Sequence, residues 1–220
     1  ARKNGFKVVL TGDGADEYFF GYKRYLWINK LLFLKKLHIH TLINKKFIPK
    51  KYRRYFEALK LDGQKMYDFL MSGLDLKNYN HIAAKLNLLN PKKINFFDCS
   101  DIDKENYLVN DINIKVDRAT MAHSIEARSP FLDFKVIEYA NQLPNQLKFK
   151  MGEQKHILKN ILRNDFDESF LNRSKQGFGV PLGNWLKDEF YDYFENLTIK
   201  HSDLFSGFMD EKYIKTLFEE

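Results

Sequence analysis

One cysteine, Cys99, is all that 220 residues contain. A lone thiol excludes a disulfide scaffold and a cysteine-ligated zinc site. Long apolar runs are missing as well. The stretch Leu31 to Leu34 falls far short of the ~18 residues that a membrane helix needs. No internal repeat and no low-complexity linker interrupts the chain. The opening residues, Ala-Arg-Lys-Asn-Gly, carry neither an initiator Met nor a signal peptide and run straight into a strand-like segment. These absences lead us to expect a cytoplasmic piece of something longer.

What is present is core material and an uneven charge. At 44% hydrophobic the chain can bury a core, and its length suits one large domain or two small ones. The formal net charge of +7 is concentrated. Residues 21 to 60 hold twelve Lys or Arg against the single acid Glu57, whereas residues 186 to 220 hold nine acids and four bases. A field of this kind attracts nucleic acid, a membrane surface or polyphosphate. No RNA-binding or DNA-binding motif accompanies the basic run, so a solvated helix surface is the better reading and nucleic acid is not expected.

Periodicity makes the chain mostly helical. Phe6 to Leu10 is a short buried strand, bounded by Gly5 and by Thr-Gly-Asp-Gly. After the loop Thr11 to Asp16, apolar residues at Tyr22, Tyr25, Leu26, Ile28, Leu32 and Leu34 mark a helix. Residues 51 to 72 repeat the pattern, interrupted at Asp62-Gly63, and Asn90-Pro91 marks a further break. Asn106 to Ser124 is helical. Pro130 opens the next helix at its first position, with Val136, Ile137 and Ala140 on one face and Pro144 beyond its end. Gln154 to Arg163 and Trp185 to Phe194 are helical too.

Three segments have the composition of a site. Val8 to Glu17 reads strand, glycine turn, helix. Gly12 and Gly14 permit tight turns and close approach to a ligand, beyond the carboxyl end of a strand. Asp13, Asp16 and Glu17 crowd three carboxylates together, so that they either hold Mg²⁺ or an ammonium group, or stabilise a first helical turn. The third glycine of a dinucleotide fingerprint is absent. In the second segment, Val116 to Asp133, the charges of Asp117, Arg118, Glu126, Arg128 and Asp133 fall among apolar residues, and an internal ion-pair network that orients helices is expected. The third is the loop Arg173 to Pro181, whose Lys175 could cover phosphates together with Lys155 from the head of its own helix; each alone is an ordinary surface lysine. His38-x-His40 has no third ligand nearby and reads as a surface pair. Adjacent His123 and Ser124 cannot form a triad.

Taken in order, Leu-Thr-Gly-Asp-Gly-Ala-Asp-Glu, Val-Asp-Arg-Ala-Thr-Met-Ala-His-Ser-Ile-Glu-Ala-Arg-Ser-Pro-Phe-Leu-Asp, Gly-Glu-Gln-Lys-His-Ile-Leu and Arg-Ser-Lys-Gln-Gly-Phe-Gly-Val-Pro-Leu resemble the C-terminal synthetase domain of glutamine-hydrolysing asparagine synthetases. The motifs span residues 5 to 186. The resemblance implies a mostly α fragment of an α/β adenine-nucleotide α-hydrolase-like (PP-loop ATPase) fold, with one N-terminal parallel-sheet strand followed by helices. Its parts would be the strand and acidic loop at 6–17, a helical insert at 18–105, a helical core with site loops at 106–196, and an acidic helical tail at 197–220.

The resemblance also implies a chemistry. ATP and Mg²⁺ serve to adenylate the side-chain carboxylate of aspartate, and ammonia, drawn from glutamine in the full enzyme, displaces AMP. Asp13 stands where these synthetases often carry a catalytic Glu as general base, although relatives in sugar-modification pathways have Asp there. Asp16 matches an Mg²⁺-ligating acid. Lys155 and Lys175 match lysines on pyrophosphate and the reacting intermediate, with Lys175 also catalytic, and Gly12 and Gly14 belong to the nucleotide-binding loop. Lysine and Mg²⁺ are suited to a pyrophosphate leaving group. The family's Ser-Gly-Gly-x-Asp-Ser loop and its glutaminase domain are expected upstream of Ala1, so the isolated chain is expected to be inactive. A homodimer of the full enzyme is a further expectation. Ser72-Gly73-Leu74-Asp75 lacks a glycine and the closing hydroxyl of that loop and is read as a helix end. Cys99, mid-chain, cannot be the glutaminase nucleophile. Two alternatives stand beside this reading: an amidotransferase for another carboxylate, such as a sugar acid or β-lactam precursor, and a non-catalytic basic module that binds nucleic acid or a partner.

Overall fold

A computed structural model describes residues 1–38, 41, 45–86, 93–173 and 182–201. The chain divides into two units, Ala1–Ile48 with Lys93–Arg173 and Pro49–Lys92 with Ser174–Glu220.

The first unit carries the sheet. Strand β1 (Val8–Leu10) follows the β-branched signal of the sequence, but it is not the buried strand expected: Val8 and Leu10 are exposed and Val9 is half-buried. It has a partner that the sequence conceals: β2 (Glu126–Arg128) pairs with it in parallel, Val8 opposite Glu126 and Leu10 opposite Arg128. Glu-Ala-Arg has no strand propensity, so the pairing is imposed from outside by the ladder itself. A parallel sheet is what the resemblance implies, and β2 is an addition to the one strand legible in the sequence. The amide of Thr11 continues the ladder, donating to the Arg128 carbonyl at 2.8 Å, and the Glu126 amide donates to the Lys7 carbonyl at 2.8 Å. A second pair, β3 (Phe149–Lys150) and β4 (Glu153–Gln154), forms an antiparallel hairpin. Its two-residue turn, Met151-Gly152, has positive φ at both positions, as such hairpins require.

Helix α1 (Ala15–Tyr18) is a single turn, and α2 (Lys23–Lys36) buries Tyr25, Ile28 and Leu31. The next rod of this unit begins earlier than its periodicity indicates. Helix α6 (Asp98–Ile102) runs through a π-helix at Asp103–Asn113 into α7 (Ile114–Met121) without leaving helical dihedrals. Asp103, Leu108 and Ile112 are the buried positions of the π-helix, at steps of five and four residues, wider than an α-helix presents. Ser124 lies beyond the helix, in a left-handed conformation. Pro130 heads a 3₁₀ turn, Pro130–Leu132, and not the following helix. That helix, α8 (Phe134–Gln142), is started by Asp133, whose carboxylate accepts the Lys135 amide at 2.9 Å. Helices α9 (Asn145–Lys148), α10 (His156–Leu162) and α11 (Glu168–Leu171) complete the unit.

The second unit is helical. It contains α3 (Lys50–Ala58), α4 (Gly63–Ser72), α5 (Leu76–Lys85), α12 (Leu182–Lys187) and α13 (Tyr191–Lys200). Phe56, Leu59, Met66, Tyr67, Phe69 and Tyr79 are buried. The Ser72-Gly73 segment is a helix end, as read: Gly73 takes φ 74 to stop α4, and Asp75 caps α5 by accepting the Asn78 amide at 3.0 Å. The single helix expected over Trp185 to Phe194 is instead two, separated between Lys187 and Tyr191.

The basic run is partly structural. Arg54 donates to the carbonyls of Leu74 (2.7 Å) and Phe69 (2.5 Å), closing the end of α4, and lies over the Phe69 ring. Arg24, in the first unit, pairs with buried Asp103 at 2.6 Å. The charges expected to be internal are not. Asp117, Arg118, Glu126, Arg128 and Asp133 are all exposed, and Glu126 pairs with Arg128 at 2.7 Å on the surface. Strand pairing presents these two outward at alternate positions, while Asp117 and Arg118 lie on the exposed face of α7 and Asp133 caps α8. Among the described residues, no helix is long and apolar enough to cross a membrane.

Candidate active site

The glycine turn after β1 is where the sequence motifs meet. Gly14 takes φ 87 at the start of α1, and a Cβ there would lie 2.4 Å from Leu132. Gly is therefore required twice, by backbone angle and by space. Gly12 meets nothing within 4 Å and has no such constraint from the chain itself. The loop is anchored from the second motif: the Ser129 hydroxyl donates to the backbone carbonyl of Asp13. Asp13 itself is half-buried.

Helix α1 then separates its two acids. Asp16 turns outward and forms an ion pair with Lys155, Nζ to Oδ1 2.8 Å. Both side chains are about one-quarter exposed, at 25% for Lys155 and 27% for Asp16. Glu17 turns inward, is 1% exposed, and accepts the Tyr22 hydroxyl at 2.6 Å. Asp16 and Glu17 diverge, because successive residues of a helix point in different directions. Burial pushes the Glu17 carboxyl above its ordinary value, and the charges of Asp16 and Asp103 add to that against the Tyr22 hydrogen bond.

The turn after α1 brings Lys155 into place. Phe20 is left-handed at φ 56, and the Gly21 amide donates to the Asp16 carbonyl at 2.8 Å. A Cβ on Gly21 would fall 1.8 Å from Asp16 Oδ1 and 2.2 Å from Lys155 Cε, so only hydrogen fits between the pair. From the other side, Lys155 is itself left-handed (φ 54) and its amide donates to the Phe19 carbonyl at 3.1 Å. Gln154 donates to the Phe20 carbonyl at 3.2 Å. The β3–β4 hairpin thus delivers Lys155 to the loop that carries Asp16. Behind this, Arg24 donates twice to Asp103, which also accepts the Tyr25 hydroxyl at 2.5 Å, and the Arg24 guanidinium lies 3.8 Å from the Tyr22 ring centroid. Ser100 donates to the Glu17 carbonyl at 2.6 Å.

Of the residues singled out in sequence, Gly12, Asp13 and Gly14 share the turn after β1, Asp16 follows in α1, and Lys155 is brought to Asp16. Lys175 lies outside the described residues, as does His40 of the His38-x-His40 pair. The supporting residues Gly21, Tyr22, Arg24, Asp103, Ser129 and Gln154 escaped the reading. A glycine directly after Phe19-Phe20 is a local signal for Gly21, and Ser129 sits within the second motif; the long-range partner Asp103 has no such signal.

The profile of the family described as Asparagine synthase matches residues 1–220. This chain belongs to that family. Asparagine synthetase [glutamine-hydrolyzing] 1 of Bacillus subtilis is 30% identical over 99% of the chain. A putative glutamine-hydrolyzing asparagine synthetase of Mycobacterium bovis is 29% identical over 85%, and amidase chry2 of Gibberella zeae is 23% identical over 94%. The chain spans 37%, 31% and 37% of the lengths of these relatives, respectively. No solved structure matches it significantly. Family membership identifies the short parallel sheet and its helices as part of an α/β fold of the PP-loop type.

The donors present can be weighed against the groups this family implies. Among the described residues, no cluster of three or more carboxylate, His or Cys side chains could hold a metal by itself. Mg²⁺ does not need such a cage: it takes one or two carboxylates and fills its octahedron with water and phosphate oxygens. Asp16 fits as that single carboxylate, beside a lysine that suits the phosphates. Cys99 is fully buried, and burial with the nearby Asp103 and Asp98 charges pushes its thiol up, away from nucleophilic chemistry.

Proposed function

We propose that this chain is the synthetase part of an ATP-dependent carbon–nitrogen ligase that converts aspartate to asparagine in the cytoplasm. The observation that carries the reading is the Asp16–Lys155 pair at the glycine turn, held from both sides in a chain whose family profile matches throughout.

In the reaction, a carboxylate oxygen of aspartate attacks the α-phosphorus of ATP and pyrophosphate leaves. Ammonia then attacks the acyl carbon of β-aspartyl-AMP, and AMP leaves with the acyl oxygen. Mg²⁺, when bound, offsets the charge of the polyphosphate. Lys155 supplies a positive charge to the departing pyrophosphate, and its αL backbone and the absence of a side chain at position 21 fix its reach. Asp16 holds the Lys155 ammonium until the polyphosphate arrives and offers its carboxylate to the metal. Asp13 accepts a proton from the attacking nitrogen, as general base. Gly12 and Gly14 let backbone approach the nucleotide, and Lys175 serves as a second cation for the reacting intermediate. The upstream pyrophosphate loop and a glutaminase domain that delivers ammonia belong to the same proposal, as does a dimer of the full enzyme.

The test uses the full-length polypeptide that carries this chain, with ATP, Mg²⁺, aspartate and ammonia. Aspartate-dependent release of AMP and pyrophosphate is expected, and Lys155→Met is expected to lower it about a hundredfold. An undiminished rate in Lys155→Met sinks the assignment. The isolated 220-residue chain is expected to make no asparagine. Relatives named amidases, such as amidase chry2, favour one second reading, in which the acceptor is another carboxylate. Replacing aspartate by sugar acids in the same assay separates the two.

A further inference from the structure

Away from the Asp16–Lys155 pair, the first unit contains a cavity of about 190 Å³ lined by Phe20, Phe97, Ser100, Asp101, Lys104, Asn141, Asn145 and Lys148. Its most unusual member is Lys148, the last residue of α9. This lysine is 3% exposed, and its side chain has no hydrogen bond or ion pair among the described residues. Its stem is buried, whereas its ammonium, which is not among the fully enclosed polar atoms, is reached from the cavity. Burial, reinforced by the neighbouring Lys104 ammonium, holds Lys148 below its ordinary value, and Asp101 only partly counteracts this. Asp101 is already engaged, accepting Lys104 at 2.8 Å, and its side chain is 67% exposed. The Ser100 hydroxyl is also committed, to the Glu17 carbonyl.

Two ammonium groups and one carboxylate leave the cavity one positive charge in excess. Water could solvate these groups but would not neutralise that charge, whereas a monoanion would. The carboxamides of Asn141 and Asn145 add N–H donors, which an oxyanion accepts. The volume admits phosphate or a small carboxylic acid. We propose that this cavity is a binding site for a small oxyanion, a carboxylate or a phosphate, held between Lys148 and Lys104 and oriented by Asn141 and Asn145. It is independent of the ligase reading: the site requires no nucleotide and no reaction.

Titration calorimetry of the chain with inorganic phosphate, and separately with acetate, tests the site. Saturable binding of one equivalent is expected for at least one, and which one binds distinguishes the two sources. Lys148→Met removes the cavity-facing charge while keeping a stem of similar length, and is expected to weaken binding at least tenfold. Lys135→Met, which removes one exposed charge from α8, is expected to leave it unchanged. Should Lys148→Met fail to fold, Lys104→Met provides the same comparison at the cavity's other lysine. Absence of saturable binding to the wild-type chain, or equal weakening by Lys135→Met and the cavity variant, overturns the proposal.

Discussion

Lys155 and Asp16 form an ion pair at 2.8 Å that leaves no room for a side chain at position 21. Gly21→Ala would place its methyl 1.8 Å from Asp16 Oδ1 and 2.2 Å from Lys155 Cε, and the pair must part. Overpacking of this kind costs about 1–3 kcal/mol. Gly12→Ala meets open space and is expected to change stability by no more than about 0.5 kcal/mol. Urea denaturation of both variants checks this; equal stabilities would show that the pair does not constrain the turn. If Gly12 lets the backbone approach the nucleotide, as proposed, the same Gly12→Ala in the full-length enzyme is expected to impair nucleotide binding despite its neutral stability.

The inward acid of α1 gives a second prediction. Glu17 is buried against Tyr22, and Glu17→Ala would remove the acceptor of the Tyr22 hydroxyl and open a cavity, for a loss of about 2–4 kcal/mol. Glu17→Gln keeps both volume and acceptor and is expected to lose less than about 1 kcal/mol. The folded-state value of Glu17 is raised, so the folded chain retains its proton where the unfolded chain has released it. Its contribution is therefore complete below the ordinary carboxylate range and is lost as pH rises through the folded value. Glu17→Gln should flatten that part of the stability–pH curve; an unaltered curve counts against a buried, raised carboxyl.

The core helices and the site loop were legible for different reasons. Tyr25 and Ile28, or Met66 and Phe69, repeat at helical spacing, and local periodicity suffices to find them. The acidic glycine turn was legible because Gly12 and Gly14 follow a β-branched strand. What remained hidden is long-range. Strand β2 is Glu-Ala-Arg, whose composition contradicts its state, and only pairing with Val8–Leu10 makes it a strand. Arg24 looks like one of twelve bases in a solvated run until Asp103 is found against it, across 79 residues. Asp16 and Glu17 are neighbours of identical charge type, and only the packing of α1 decides that one meets Lys155 and the other Tyr22.

The second unit supplies a titration of its own. Burial pushes the Asp68 carboxyl from 3.8 up to about 6. Between those values the folded chain holds a proton that the unfolded chain has given up, so stability falls as pH rises across that window. Asp68→Asn is expected to remove the fall and to leave the chain more stable at pH 7 than the wild type. Chemical denaturation at intervals from about pH 4 to pH 7 measures it, and parallel curves for the two proteins would refute the burial. The Tyr79 hydroxyl, which feels the Asp68 charge, is buried without a hydrogen-bond partner among the described residues. Tyr79→Phe should accordingly cost nothing, or gain about 1 kcal/mol.

Asp13 offers the sharpest test of the proposed chemistry. Its backbone is held by the Ser129 hydroxyl, and the residue is half-buried in the turn that leads into α1. If the carboxylate takes the proton from the attacking nitrogen, Asp13→Asn in the full-length enzyme removes a general base and should lower kcat by about 10²–10⁴, with little change in the KM for ATP. Asp13→Glu keeps the base on a longer arm and should retain activity within about tenfold. Ser129→Ala leaves the base intact but frees the loop; about 1 kcal/mol of stability is lost and kcat falls less than in Asp13→Asn. A kcat that drops furthest in Asp13→Asn, less in Ser129→Ala and least in Asp13→Glu distinguishes proton transfer from simple anchoring. An Asp13→Asn enzyme that turns over at the wild-type rate removes Asp13 from the chemistry and leaves Lys155 and Asp16 to account for the site.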